Sequence, residues 1–371
     1  MALPGSLPRR MRCSMVVAML LLLACVPARA AEDWQAGAGA DWQALLAKAK
    51  EEGPVVVAMG APIGKELAAA FRRDTGLELQ FLGGDSSAIS ARFAQEVASP
   101  NLSIDVQIGG SSELPLIARG LMQPIKPLLK LPQVVDGKYW REGGIRWIDN
   151  EGEYFAQGAE YLSFRVFANA DKVKLADIHE FNDLLRPTYK GKIASSDPTG
   201  SAGGRGFAEA IFSWRGEDYV ERFYKGQAIT YTKNPVQLVE WAARGTYPII
   251  VGSLQQYVDK FTSEGFNIQY VAFSDWPILS TGGRSVIKIA AKAPHAAAAA
   301  VFANWYLSRP GQQLYETLLG EPSRRADLPH KGVPAYELPK QDVHYVGSYD
   351  QDYVSKLREN VGKLTRVLVS E

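Results

Sequence analysis

Apolar and polar positions fall in alternating blocks along this chain, short apolar runs giving way to longer stretches of helical spacing. Val55-Val56-Val57-Ala58 is wholly apolar, the pattern of a strand buried on both faces of a parallel sheet. The run breaks at Met59-Gly60-Ala61-Pro62, after which Leu67, Ala70 and Phe71 recur at helical spacing. Thr75-Gly76 closes that helix and Leu77 to Leu82 returns as a strand. Gly83-Gly84-Asp85-Ser86-Ser87 then opens a helix through Ile89, Phe93 and Val97. Ile104 to Ile108 is the next strand, and Gly109-Gly110-Ser111-Ser112 leads into a predicted helix at Glu113–Arg119. Upstream, Trp42 to Lys50 reads as a helix with Leu45, Leu46 and Ala49 on one face. Strand and helix repeat in a βαβ manner, which predicts an open sheet flanked by helices.

The alternation continues downstream. Tyr154 to Ala168 is rich in aromatic and β-forming residues and reads as a crossover between two lobes. Ile249-Ile250-Val251 is another buried strand, and Ile278 to Ala290 reads as the return, with Gly282-Gly283 as a flexible spot. Pro294 to Leu307 predicts a helix with Pro at its start and Arg309-Pro310 as its stop. From Tyr353 onward, Val354, Leu357, Val361, Leu364 and Leu368 recur at helical spacing and predict an amphipathic C-terminal helix packed on the body.

The predicted strands end in turns of Gly and Ser at helix N-termini, the edge of an open α/β sheet where ligands bind. From Arg186 to Phe207 the pattern is fullest: a basic turn, a short strand at Ile193-Ala194, then a loop over Ser195 to Gly204 and a helix beginning near Arg205. Such a loop holds backbone N–H groups at the positive end of a helix and suits an anionic or polar ligand. The same residue types also serve simply to cap helices. Convergence of several such turns on one crevice favours the ligand reading. The candidate ligand-binding residues are Gly60, Ala61, Ser86, Ser87, Ser111, Ser112, Tyr161, Thr199, Gly200, Ser201, Arg205, Gln255, Tyr257 and Thr281.

Residues 1–12 carry Arg9, Arg10 and Arg12 and no acid; an apolar run from Cys13 to Val26 and Pro27-Ala28-Arg29-Ala30 follow. This reads as a secretory signal peptide over residues 1–30, since the run is shorter than the ~20 residues of a membrane span. It places the mature chain in the periplasm. Leu22-Leu23-Ala24-Cys25 also resembles a lipoprotein box, so a chain anchored at Cys25 is the second possibility. Cys13 and Cys25 both lie in the leader; a chain cut after Ala30 has no disulfide, cysteine nucleophile or cysteine metal site. The whole chain balances 41 Lys and Arg against 40 Asp and Glu, and loss of the leader arginines tips it mildly acidic. That argues against a nucleic-acid surface.

In order and content the segments resemble the periplasmic solute-binding proteins of ABC importers, in the family 1 branch that includes ferric-ion binders. The resemblance rests on Phe71 to Leu79, on Ile104-Asp105-Val106 with Leu116 to Pro124, on the Lys190–Gly204 loop, and on Ala293-Pro294-His295 through Gly311-Gln312-Gln313. It implies a type II fold: two α/β lobes, each an open sheet flanked by helices, joined by hinge strands. The expected boundaries are 31–161 plus 281–325 for one lobe and 162–280 for the other, with 326–371 a C-terminal helical segment packed on both. It also implies a monomer that closes over a small-molecule ligand and presents it to an ABC permease in the inner membrane, without a cofactor.

Ferric members place a Tyr-Tyr pair just after the buried strand of the second lobe. Gln255-Gln256 stand there in this chain, with Tyr257 next, and the first turn has no histidine. The four histidines, His179, His295, His330 and His344, are scattered. The expected site therefore holds no metal, and the ligand is a carboxylate, phosphate or phosphonate rather than ferric ion. Arg165, Arg205 and Arg284 are candidate counter-charges, each otherwise a solvated surface residue. Tyr161, Tyr257 and Trp276 are candidate walls for a carbon skeleton, and Gln255 and Gln256 candidate amide partners. The alternatives are a ligand sensor docking on a histidine kinase and, more remotely, a secreted hydrolase. Against the last, the chain lacks G-x-S-x-G, H-E-x-x-H and P-loop motifs.

Overall fold

Val55 to Met59 is buried along its whole length, so it needs covering on both faces, and the chain supplies helices on each side. The computed structural model describes residues 33–162, 165–199, 202–253, 255–275, 279–339 and 345–369. The predicted leader, Trp276 and His344 lie outside them. The residues from Trp34 onward form one unit.

In chain order that unit begins with α1 (Ala40–Glu52), β1 (Val55–Met59), α2 (Gly64–Thr75), β2 (Leu79–Gly83), α3 (Ser86–Val97) and β3 (Val106–Gly109). It continues through β4 (Met122–Gln123), α4 (Pro132–Val135), β5 (Arg146–Trp147), β6 (Ala156–Gln157), β7 (Tyr161–Leu162) and β8 (Val166–Asn169). Next come β9 (Ile193–Ser196), α5 (Ala202–Arg215), α6 (Glu217–Glu221), β10 (Thr230–Thr232), α7 (Pro235–Arg244), β11 (Ile249–Val251), α8 (Gln255–Ser263) and β12 (Ile268–Val271). The last elements are β13 (Leu279–Thr281), β14 (Val286–Ala290), α9 (Ala296–Leu307), α10 (Arg309–Leu319), β15 (Val346–Gly347) and α11 (Gln351–Val369).

The strands sort into two main sheets and a small connecting one. The first runs β2-β1-β3-β14-β6-β5, with β4 beside β14. Within it β1 lies parallel to β2 and β3, Val57 opposite Val106, and β14 is antiparallel to β3. The second runs β10-β9-β11-β8-β12, parallel from β10 to β11 and antiparallel through β8. A third sheet, β15-β13-β7, joins β7 and β13, which lie between the two sheets in the chain, to β15 near its end. The two-lobed α/β fold expected from the sequence is present.

Strand alternation builds a core on each side of each sheet. Val55, Val57 and Met59 meet α1, α2 and α9, while Val56 and Ala58 meet α3. Ile249 and Val251 meet α5 and α6, and Ile250 meets α7 and α8. Helix ends follow local chemistry. The Asp85 carboxylate accepts from the Ser87 and Ala88 amides, and Asn234 accepts from Val236 and Gln237 ahead of Pro235.

Two expectations change. Glu113–Arg119 forms only a 3₁₀ turn over Leu114–Leu116, and Gly120, at φ 67°, closes the segment. Arg309-Pro310 does not close the helical region. Ser308 ends α9 and Pro310 sits in the first turn of α10, where its missing N–H costs nothing.

Candidate functional site

In the second lobe two strand-to-helix loops lie against each other. After β9 the Asp197 carboxylate accepts from the Thr199 amide at 2.8 Å and its hydroxyl at 2.7 Å, and α5 begins at Ala202. After β11 the chain turns at Gly252, φ 70°, and α8 begins at Gln255. The Ser196 hydroxyl donates to the Gly252 carbonyl at 2.9 Å. A Cβ on Gly203 would sit 2.4 Å from that same carbonyl oxygen, and one on Gly204 would sit 2.4 Å from the Ser196 oxygen. Backbone meets backbone, so glycine is required at both positions. The consequence is that the N-termini of α5 and α8, each carrying a partial positive charge, stand side by side.

A cavity of 320 Å³ opens in front of them. Gly203, Gly206 and Glu209 of α5 and Gly252, Ser253 and Gln255 form one wall. Tyr161 and Thr281, from the connecting strands, and Arg165, just before β8, form the second. Ser348, Tyr349, Tyr353 and Leu357 form a third, from the C-terminal segment. Three phenols, three hydroxyls and one amide thus surround a space flanked by two helix ends.

Every charge near this cavity is paired. Arg165 donates to Gln255 Oε1 at 3.1 Å and to the Glu337 carboxylate. Arg205 Nε meets Glu209 Oε1 at 3.0 Å, and burial raises the Glu209 carboxyl above its ordinary value. Arg284 is held by Glu321 through both its amide, at 2.9 Å, and its Nε, at 3.1 Å. Burial also pushes up the Tyr161 and Tyr349 phenols, and Tyr353 to about 12. These phenols therefore stay protonated at neutral pH.

Of the residues singled out from the sequence, Tyr161, Gln255 and Thr281 line the cavity, together with Arg165. Thr199 is exposed and bonded to Asp197, and Gly200 and Ser201 lie outside the described residues. Arg205 is near but turned to Glu209, and Tyr257 packs against the core beneath α8. The first-lobe turns are not among the cavity's lining residues. Ser86 packs on Gly60, its hydroxyl 3.3 Å from the Gly60 oxygen; Ala61 is buried in the first-lobe core; Ser87 is held by Asp85; and Ser111 and Ser112 precede the 3₁₀ turn. Glu209, Ser253, Ser348, Tyr349 and Tyr353 had no signal in the sequence. Only Ser253 adjoins a recognisable strand-to-helix turn.

Among the described residues no group of three or more His, Asp or Glu side chains is placed to hold a metal ion. No helix among them is long and apolar enough to cross a membrane.

Comparison with known proteins decides the family. Residues 54–317 match the model of the bacterial extracellular solute-binding protein family. The chain belongs to that family. No curated protein sequence matches it. Among solved structures, this solute-binding protein resembles an ABC transporter protein from Clostridium perfringens, with a TM-score of 0.65 and 15% identity over 85% of this chain and 99% of that one. It also resembles iron-bound HitA from Pseudomonas aeruginosa, with a TM-score of 0.59 and 16% identity over 85% and 99% of the two chains. AfuA from Actinobacillus pleuropneumoniae, solved with fructose-6-phosphate, gives 0.53 and 19% over 84% and 99%. At these identities the likeness establishes the fold.

Proposed function

We propose that this solute-binding protein is the periplasmic component of an ABC importer. It takes a small anionic organic solute, a carboxylate, phosphate or phosphonate, into the cavity before α5 and α8. The observation that carries the reading is the meeting of two helix N-termini at a cavity also lined by hydroxyl, amide and aromatic groups and by the ion-paired Arg165 and Glu209. Backbone dipoles favour an anion there, and the Arg165 guanidinium stands beside it. The phenols and Thr281 suit the rest of the solute. Lobe closure follows if the solute touches both lobes and so favours the closed state.

A second reading, direct ferric binding, is favoured by one observation: Tyr161, Tyr349, Tyr353 and Glu209 share the cavity. Against it, Gln255 stands where ferric binders place a tyrosine. A thermal-shift series on refolded mature protein separates the two. At a hundred times Kd an anion should stabilise the protein by about 2.7 kcal/mol. Submicromolar ferric affinity without an added chelator would sink the anion reading.

A further inference from the structure

Ser348, Tyr349, Tyr353 and Leu357 reach the cavity from beyond residues 54–317, the portion shared with the family. The segment that carries them is fastened to both lobes. At its start β15 pairs with β13 in the connecting sheet. Asp350 accepts from Arg146 of the first sheet at 2.7 Å, and the Gln351 amide donates to the Ile148 carbonyl at 2.8 Å. Asn150 adds a bond to Asp352 at 2.9 Å. Gly347 makes room for this: a Cβ there would lie 2.3 Å from Arg146 Nη2 and 2.5 Å from Asp350 Oδ1. Farther along, α11 buries Leu364 and Val367 in the second-lobe core that also holds Phe207 and Ile211 of α5.

Of the residues that face the cavity, Ser348 and Tyr349 lie within the first anchorage, and Tyr353 and Leu357 lie between it and the second. The Tyr349 hydroxyl donates to the Gly283 carbonyl at 2.8 Å, and its ring stands 3.6 Å from where a Cβ on Gly110 of the first lobe would be. The Ser348 hydroxyl lines the cavity, buried and without a hydrogen-bond partner among the described residues. A buried hydroxyl in that position is available to donate to a bound solute.

We infer that residues 345–369 form a strap that ties the rim of the first lobe to the second lobe and completes the solute site, with Ser348 donating to the solute. The tie stands on the protein's own bonds; the Ser348 contact rests on the anion reading above. The first-lobe anchorage is polar and the second-lobe anchorage apolar, so the polar end is the one that releases.

The test uses mature protein with Asp350→Asn, Gly347→Ala and Ser348→Ala variants. Without solute, hydrogen exchange at residues 347–353 and the radius of gyration are measured. Asp350→Asn and Gly347→Ala should each speed exchange about tenfold and enlarge the radius, while Ser348→Ala leaves both at wild-type values. Unchanged exchange and radius in both release variants would overturn the strap. Inorganic phosphate, citrate and glycerol 3-phosphate are then titrated against wild type and Ser348→Ala. A fivefold or greater loss of affinity for a probe that binds wild type supports the Ser348 contact, and equal affinity overturns it. Should none of the three bind wild type, the anion reading and the Ser348 contact both fail, while exchange and scattering still decide the strap.

Discussion

Arg165 shares its guanidinium between the Gln255 amide and the Glu337 carboxylate, and Glu337 is buried. An anion entering the cavity competes with that internal carboxylate for the same guanidinium. Glu337→Gln removes the competitor's charge and should tighten binding of an anionic solute roughly tenfold, about 1.4 kcal/mol, read by calorimetry. A second buried carboxylate has a structural part. Glu160 faces Arg324 directly, with Arg146 at 3.4 Å and Arg141 at 3.5 Å. Burial first, then the neighbouring Arg141 and Arg146 charges, lower the Arg324 pKa to about 10. Glu160→Gln leaves three arginines undercompensated and should cost about 3–5 kcal/mol in denaturant unfolding. Glu142 belongs to the same group. Burial raises its carboxyl, but the Arg324 charge and hydrogen bond, with Arg146 and Arg141, bring it below its ordinary value of 4.5. A depressed folded pKa gives stability that is complete above pH 4.5 and is lost as pH falls through the folded value. Glu142→Gln should therefore flatten the acid limb of the stability curve below that pH and leave its slope at neutral pH unchanged.

Among the elements, the clasp between the α5 and α8 loops is the part that local chemistry specifies most strongly. Gly252 has φ 70°, and a Cβ there would lie 2.9 Å from the Gly204 Cα. Gly252→Ala should cost about 1–3 kcal/mol and separate the two helix ends, weakening solute binding alongside stability. Thermal unfolding and a solute titration of the same sample check both. This clasp also shows why the strands, the helices and one wall of the site were legible. Gly203-Gly204 and Gly252 announce tight backbone approach, and the wholly apolar Val55–Ala58 announces a strand covered on both faces. The first-lobe turns are of the same local type, yet none of their residues is among those lining the cavity, because a turn's composition does not say what the far lobe presents to it. Helical spacing does pair Arg205 with Glu209 four residues on, but local pattern does not reveal that Arg165 and Arg284 each find a carboxylate. Glu337 and Glu321 are 172 and 37 residues from their arginines. Ser348 and Tyr349 sit in a segment whose helical periodicity was plain, while its passage across the cavity is a tertiary fact.

For the whole molecule, the second lobe, the small connecting sheet and the C-terminal segment together line the candidate solute cavity. The connecting strands bring Tyr161 and Thr281, the second lobe brings the helix ends, and the C-terminal segment brings Ser348 and Tyr349. A solute held by groups from several bodies ties its affinity to their relative positions, the property an importer's binding component uses to signal occupancy. The central claim is that the cavity takes an organic anion without iron. Native mass spectrometry of mature protein isolated from its own periplasm, without refolding, tests it most directly. The account predicts an added mass equal to that of an organic anion, lost on unfolding and refolding. An added mass with the isotope pattern of iron would contradict it.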